Sequence, residues 1–139
     1  MSIDHITARV DGSSLGNPGP AGIGVLIEAD GNVLKRISKP LGETTNNAAE
    51  YEALLEGLRE AAALGADRVT ICSDSKLVVN QINNEWTVKS PYLLPLHRAA
   101  QQLLDGFKAW EIRHETENYI RPAHVLAQSA AHEARMETK

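Results

Sequence analysis

Cysteine occurs once, at position 72. An internal disulfide is therefore excluded. Cys72 lies in the apolar run Val69-Thr70-Ile71-Cys72 and reads as a buried strand thiol. An apolar run of membrane-spanning length is missing, as is a charged-then-apolar N-terminal signal, so no membrane partner and a cytoplasmic location are expected. An excess of basic residues is missing too: 14 Lys and Arg face 18 Asp and Glu, a net charge of −4. This argues against a partner held mainly by phosphate electrostatics, so a nucleic-acid role needs local contacts or bound cations. No internal repeat and no linker divides the chain. Its 139 residues read as one domain, 1–139, expected to be a monomer.

What the chain does have is one strong helical pattern. Tyr51, Leu54, Leu55, Leu58 and Ala62 recur along one helix face. The helix is expected over 46–64, with Thr44, Thr45 and Asn46 as cap residues and Gly65 as its stop. Glu50 falls in its first turn, on the edge of the apolar face. Helix-dipole preference alone accounts for an acid there, so its meaning depends on where other acids lie.

Residues 4–11 alternate, with Ile6, Ala8 and Val10 on one face, and read as a strand ending at Asp11. Residues 12–22, with four glycines and two prolines, read as a loop. Strands follow at 24–28 and 33–39, joined by the hairpin signal Asp30-Gly31, and 40–45 leads into the helix. A fourth strand is expected at 68–74, a short helix at 75–83, a helix from Pro91 ended near Gly106, a fifth strand at 108–114, and a last helix from Pro122 to about Met136. Strands one to three form an antiparallel meander, strands one, four and five are parallel, and helices cover both faces.

Asp11 and Asp74 then end parallel strands at the carboxyl edge of the sheet, where open α/β sheets place ligands. Glu50 can reach the same place. Three adjacent carboxylates repel one another and either hold protons or recruit cations. Hard oxygen donors suit Mg²⁺ or Mn²⁺, and two such ions are a device for phosphodiester hydrolysis.

The motifs Asp11-Gly12-Ser13, Asn17-Pro18-Gly19-Pro20-Ala21-Gly22, Thr45-Asn46-Asn47-Ala48-Ala49-Glu50 and Ser73-Asp74-Ser75 resemble the ribonuclease HI family, and the resemblance covers essentially the whole chain. It implies an α/β, ribonuclease H-like fold with a five-stranded mixed sheet of order 3-2-1-4-5. It also implies endonucleolytic cleavage of the RNA strand of an RNA/DNA hybrid, leaving 3′-hydroxyl and 5′-phosphate ends. Asp11, Glu50 and Asp74 would be metal ligands. Gly12, Ser13, Asn17, Thr45, Asn46, Asn47 and Ser75 would face substrate, Thr45 on a DNA phosphate; turn and cap formation is their other reading. Trp86 is read either as packing on a deoxyribose or as a core aromatic.

The chain departs from the family in places. No basic handle lies between Ile82 and Pro91, and a form without a hybrid-binding domain ahead of Asp11 is expected. The family's fourth carboxylate, in Ala-Asp ahead of Leu-Ala, is replaced here by His124 in Ala123-His124-Val125-Leu126-Ala127. Glu117 and Ile120 stand where an arginine and an asparagine are frequent. On one reading His124 ligates the second metal, kept neutral by the helix N-terminus, with Mn²⁺ preferred over Mg²⁺. On the other the site has decayed into a catalytically weak hybrid-binding module. A third possibility is a domain of this superfold acting on another nucleic acid. His97 and His132 are placed on polar helix faces, and 133–139 on a fraying tail.

Overall fold

A computed structural model describes residues 3–137. In chain order it has β1 (His5–Ser14), β2 (Gly19–Ala29), β3 (Asn32–Thr44), α1 (Asn46–Ala63), β4 (Arg68–Ser73), α2 (Lys76–Ile82), α3 (Leu94–Asp105), β5 (Ala109–His114) and α4 (Glu117–Glu137). The strands form one sheet of order β3-β2-β1-β4-β5. The β1–β2 and β2–β3 pairs are antiparallel, and β4 runs parallel to both β1 and β5. This is the expected architecture.

Alternation along β1 sends Ile6, Ala8 and Val10 into a core with Tyr51, Leu54, Leu55 and Leu58 of α1. Tyr51 is fully buried, and its hydroxyl donates to Gln81 Oε1 at 2.6 Å, which ties α1 to α2. The opposite face of the sheet is covered by α4 through Ala123, Ala127, Ala130 and Ala131, all fully buried. These side chains are small because the helix lies almost on the strand backbone. A Cβ on Gly24 would stand 2.0 Å from the Ala123 carbonyl oxygen, and one on Gly22 would stand 2.4 Å from Ala130 Cβ.

Several boundaries differ from the sequence reading. The expected loop 12–22 is mostly strand: only 15–18 lie between β1 and β2. Its glycines permit close backbone approach instead of breaking the strands. A Cβ on Gly12 would meet the Ala49 carbonyl carbon at 2.2 Å. Strand β3 likewise continues to Thr44, and Pro40 is accommodated because β3 is an edge strand with a register shift at Ala21/Gly22. The hairpin at Asp30-Gly31 is as expected, with both residues at positive φ.

Helix α4 starts five residues before Pro122. Thr116 provides the start: its Oγ1 accepts from Tyr119 N–H at 3.2 Å and its carbonyl from Ile120 N–H at 3.1 Å. Pro122 therefore sits inside the helix, where its missing N–H forfeits one intrahelical bond. Helix α3 begins at Leu94, with Pro95 in its first turn. His97 is not on a polar face: it is half-buried, and Nδ1 lies 3.4 Å from the Tyr51 hydroxyl. Trp86 is 49 % exposed, so it is not a core aromatic. At the C-terminus α4 continues to Glu137, and the rest of the expected tail, 138–139, lies outside the described residues.

Candidate active site

The parallel register fixes the first two acids. Arg9 is opposite Cys72 in the β1–β4 pair. Two residues on, Asp11 and Asp74 come level at the carboxyl end of the sheet. Asp11 still belongs to β1 and is buried. Asp74 follows β4 directly, ahead of Ser75, the N-cap of α2, whose hydroxyl accepts from Val78 N–H at 3.2 Å.

Glu50 arrives from α1. Thr45 is the N-cap, its Oγ1 accepting from Ala48 N–H at 3.2 Å. Glu50 is thus in the second turn, not the first, and the helix-end preference does not explain it. What holds it is the backbone of β1: Gly12 N–H donates to Glu50 Oε1 at 2.6 Å. The missing side chain at Gly12 lets β1 and α1 meet closely enough for that bond. Asp11, Glu50 and Asp74 each present an oxygen, and these lie within 4.8 Å of one another.

Such a group is electrostatically uncomfortable. Burial, with the nearby Asp74 charge, pushes the Asp11 carboxyl from 3.8 up to about 6, even though His124 opposes the shift. Burial first, then the charge of Asp11, raise Glu50 well above the usual carboxylate range. The folded state therefore binds more protons than the unfolded chain between pH 4 and 6. Asp11 contributes stability that is fully present below about pH 4 and is lost as pH rises through about 6. Removing its charge should stabilise the metal-free fold at pH 7.5 by on the order of 2 kcal/mol, or roughly 4–8 °C in Tm. Thermal melts of wild type and Asp11→Asn in a chelator, from pH 4 to 8, check this. A wild-type Tm that does not fall across that range would refute it.

His124 is brought to the cluster but not into its compact centre. Its Nδ1 lies 2.6 Å from Asp11 Oδ2, and the side chain is 46 % exposed. It is the eighth residue of α4, not in the first turn, so the N-terminal dipole, which acts over one turn, does not bear on it. Asp74, His124, Glu117 and Arg121 line a cavity of about 250 Å³. Arg121 was missed in the sequence, although it stands three residues before His124 and four after Glu117 on one helix face. Another missed contact is Arg9, which pairs with Glu28, donates to the Tyr119 carbonyl at 3.1 Å and lies 4.1 Å from the Tyr119 ring centre. It pins the start of α4 to the sheet. Glu115 N–H, donating to the Ser73 carbonyl at 2.8 Å, pins the approach to that helix.

The remaining residues gather at the N-terminus of α1. Asn17 Oδ1 accepts from Asn46 N–H at 3.1 Å, and Asn17, Thr45, Asn46 and Asn47 are all exposed. Ser13 continues β1 opposite Gly22. The hydroxyls of Thr45 and Ser75 are engaged as caps. Cys72 is buried as expected, its thiol pushed up to about 11 by burial.

A family model described as reverse transcriptase-like matches residues 9–130. The chain is 38 % identical to ribonuclease HI of Halobacterium salinarum over 94 % of its own length and 66 % of that protein. It is 45 % identical to a bifunctional protein of Mycobacterium tuberculosis over 74 % of its own length, but spans only 29 % of that protein. The crystal structure of the Halobacterium RNase H1 superposes with a TM-score of 0.90 at 36 % identity, covering 93 % of this chain and 98 % of that one. The N-terminal RNase H domain of the mycobacterial protein gives 0.88 at 40 % identity, with coverages of 91 % and 98 %. LC11-RNase H1, a structure in complex with RNA/DNA hybrid, gives 0.87 at 34 %, with coverages of 93 % and 98 %. With this sheet order and these matches, the chain belongs to the reverse transcriptase-like family and, within it, to the ribonuclease HI type.

Proposed function

We propose that this protein is a metal-dependent endoribonuclease that cuts the RNA strand of RNA/DNA hybrids, leaving 3′-hydroxyl and 5′-phosphate ends. The observation that carries the reading is the convergence of three carboxylate oxygens within 4.8 Å at the carboxyl edge of the sheet. A relative with 98 % of its chain covered is a structure in complex with such a hybrid, which supports the substrate.

The donor set fits divalent cations. All three groups are hard oxygens, and two are pushed toward protonation by burial and mutual repulsion, a strain that positive charge relieves. Asp11, Glu50 and Asp74 would hold them. When bound, a pair of cations activates the attacking water and stabilises the leaving 3′-oxygen. The chain itself fixes Glu50 through Gly12 N–H, so that one carboxylate is already oriented before substrate arrives. With Nδ1–H donating to Asp11, His124 keeps Nε2 unprotonated, its lone pair left for a metal ion. Exposed amides at Asn17, Asn46 and Asn47 suit sequence-independent contacts to sugar and phosphate, where a 2′-hydroxyl distinguishes RNA from DNA.

One observation favours the weaker module. The imidazole engages Asp11 Oδ2, one of the two oxygens Asp11 has to offer a metal. The two readings part on substitution. With His124 as a working ligand, cleavage runs better in Mn²⁺ than in Mg²⁺, His124→Ala loses about 10- to 100-fold, and His124→Asp restores turnover and shifts preference toward Mg²⁺. End-labelled hybrid assays in each metal decide it. Undiminished cleavage by His124→Ala would remove His124 from the site. An inert wild type beside an active His124→Asp would establish the module.

A further inference from the structure

Among the described residues lining the cavity of about 250 Å³ beside the acid cluster, Arg121 is the one permanent cation; Asp74, Glu117 and His124 complete the wall. Arg121 is exposed, and its side chain has no ion pair or hydrogen bond among the described residues. It is not paired even with Glu117, although the two stand four residues apart on α4. A guanidinium facing a cavity with no partner is available to an anion that enters it.

Phosphodiester hydrolysis of the proposed kind needs positive charge in two places, on the attacking and on the leaving side of the phosphorus. The oxygens of Asp11, Glu50 and Asp74, within 4.8 Å of one another, form one compact donor group. A second cation beside that group needs further negative ligands. What the chain offers there is one uncharged nitrogen donor, on a ring whose Nδ1 is already bonded to Asp11, and a guanidinium that repels a metal ion. Glu117 is the one additional carboxylate in the wall, and Arg121 offsets its charge. The positive charge itself is not missing, since arginine clamps a reacting phosphoryl group as a metal ion does.

We propose that Arg121 is a catalytic residue that takes the place of a second metal ion: its guanidinium binds the phosphate being cleaved, and the acid cluster holds a single divalent cation. This rests on the hybrid-cleaving reading and changes its count of cations. In the step itself a water oxygen bonds to phosphorus and the bond from phosphorus to the 3′-oxygen breaks. The 3′-oxygen leaves with that electron pair and takes a proton from solvent, and the proton lost by the attacking water passes to solvent. Arg121 gives up no proton, because a guanidinium keeps its charge. Its planar fork donates hydrogen bonds to the oxygens on which negative charge builds.

The test counts ions. Wild-type enzyme is mixed with an RNA/DNA hybrid and Mn²⁺, frozen within the first turnover, and its bound Mn²⁺ counted by electron paramagnetic resonance. One ion per complex is expected. Arg121→Gln should lower kcat by about 10²- to 10³-fold, with KM within about threefold. Arg121→Asp, which supplies a ligand in place of a charge, should bind two ions and cut faster than Arg121→Gln. Since the exposed side chain has no partner in the fold, these variants stay folded, which equal Tm values check. Two ions in the wild type, or a loss in Arg121→Gln confined to KM, would overturn the proposal and leave the hybrid reading standing. So would an Arg121→Asp enzyme with one ion that is as slow as Arg121→Gln. A wild type that leaves hybrid uncut overturns both.

Discussion

Exchanging Asp74 for asparagine should lower the rate of RNA-strand cleavage by at least about 10³-fold while leaving the fold and hybrid binding in place. The three acids are not equivalent as targets. Asp11 is bonded to His124, and Glu50 accepts from the backbone of β1, so changing either disturbs packing as well as charge. Asp74 is half-buried and stands between two structural residues that would persist: Ser73, whose Oγ accepts from Ser75 N–H at 3.0 Å, and Ser75, which caps α2. Asparagine has nearly the same shape but no charge. On the proposed reading it weakens cation binding where hydrolysis needs two positive centres. It also removes one of the charges that raise Asp11. Binding should not suffer, since a phosphate backbone meets one negative charge fewer. Steady-state cleavage and anisotropy on the same preparation check the split. Cleavage within tenfold of wild type, or cleavage and binding falling together, would count against Asp74 as a ligand.

Much of this site was legible before any coordinates. Asp11 and Asp74 are set by strand register, and register follows from alternation in β1 and from the helical crossover to β4. Glu50 was legible through the motif around it, although not for the reason local preference suggests. What stayed hidden belongs to contacts between distant segments. Glycine and proline between 12 and 22 carry a loop signal that holds for an isolated chain. Inside the sheet, Gly12, Gly19 and Gly22 are strand residues because another backbone fills the space a side chain would take. The start of α4 was misplaced because Pro122 is a stronger local signal than Thr116, while the bonds that make Thr116 a cap are visible only in three dimensions. The place of Arg121 in the cavity wall required knowing that α4 begins at 117, since only then does its face include 117, 121 and 124.

The same close approach makes Gly24 the position where the smallest change should cost most. Gly24 is paired with Asp11 across β1 and β2, on the face covered by α4. A methyl group there would stand 2.0 Å from the Ala123 carbonyl oxygen and 2.6 Å from the Ala127 amide nitrogen. Both are helix backbone atoms, so no rotamer change can relieve the clash, and α4 has to lift. Gly24→Ala should therefore destabilise the protein by about 3 kcal/mol, at the upper end of overpacking, or roughly 10 °C in Tm. Lifting α4 also carries away His124, the residue after Ala123, and with it the 2.6 Å contact to Asp11. Loss of stability and loss of the histidine's contribution are thus expected together. Gly106→Ala separates this from a general intolerance of added methyls: Gly106 caps α3 at φ −78° with only the Leu103 carbonyl within reach, at 3.3 Å. Thermal or urea unfolding of both variants checks the difference, with the His124→Ala assay repeated on a Gly24→Ala background. If α4 has lifted, His124→Ala should cost little further activity there, because the imidazole is already displaced. A Gly24→Ala protein as stable as wild type, or one in which His124→Ala keeps its full effect, would mean that the helix is not held at backbone contact and that His124 is placed by something other than these glycines.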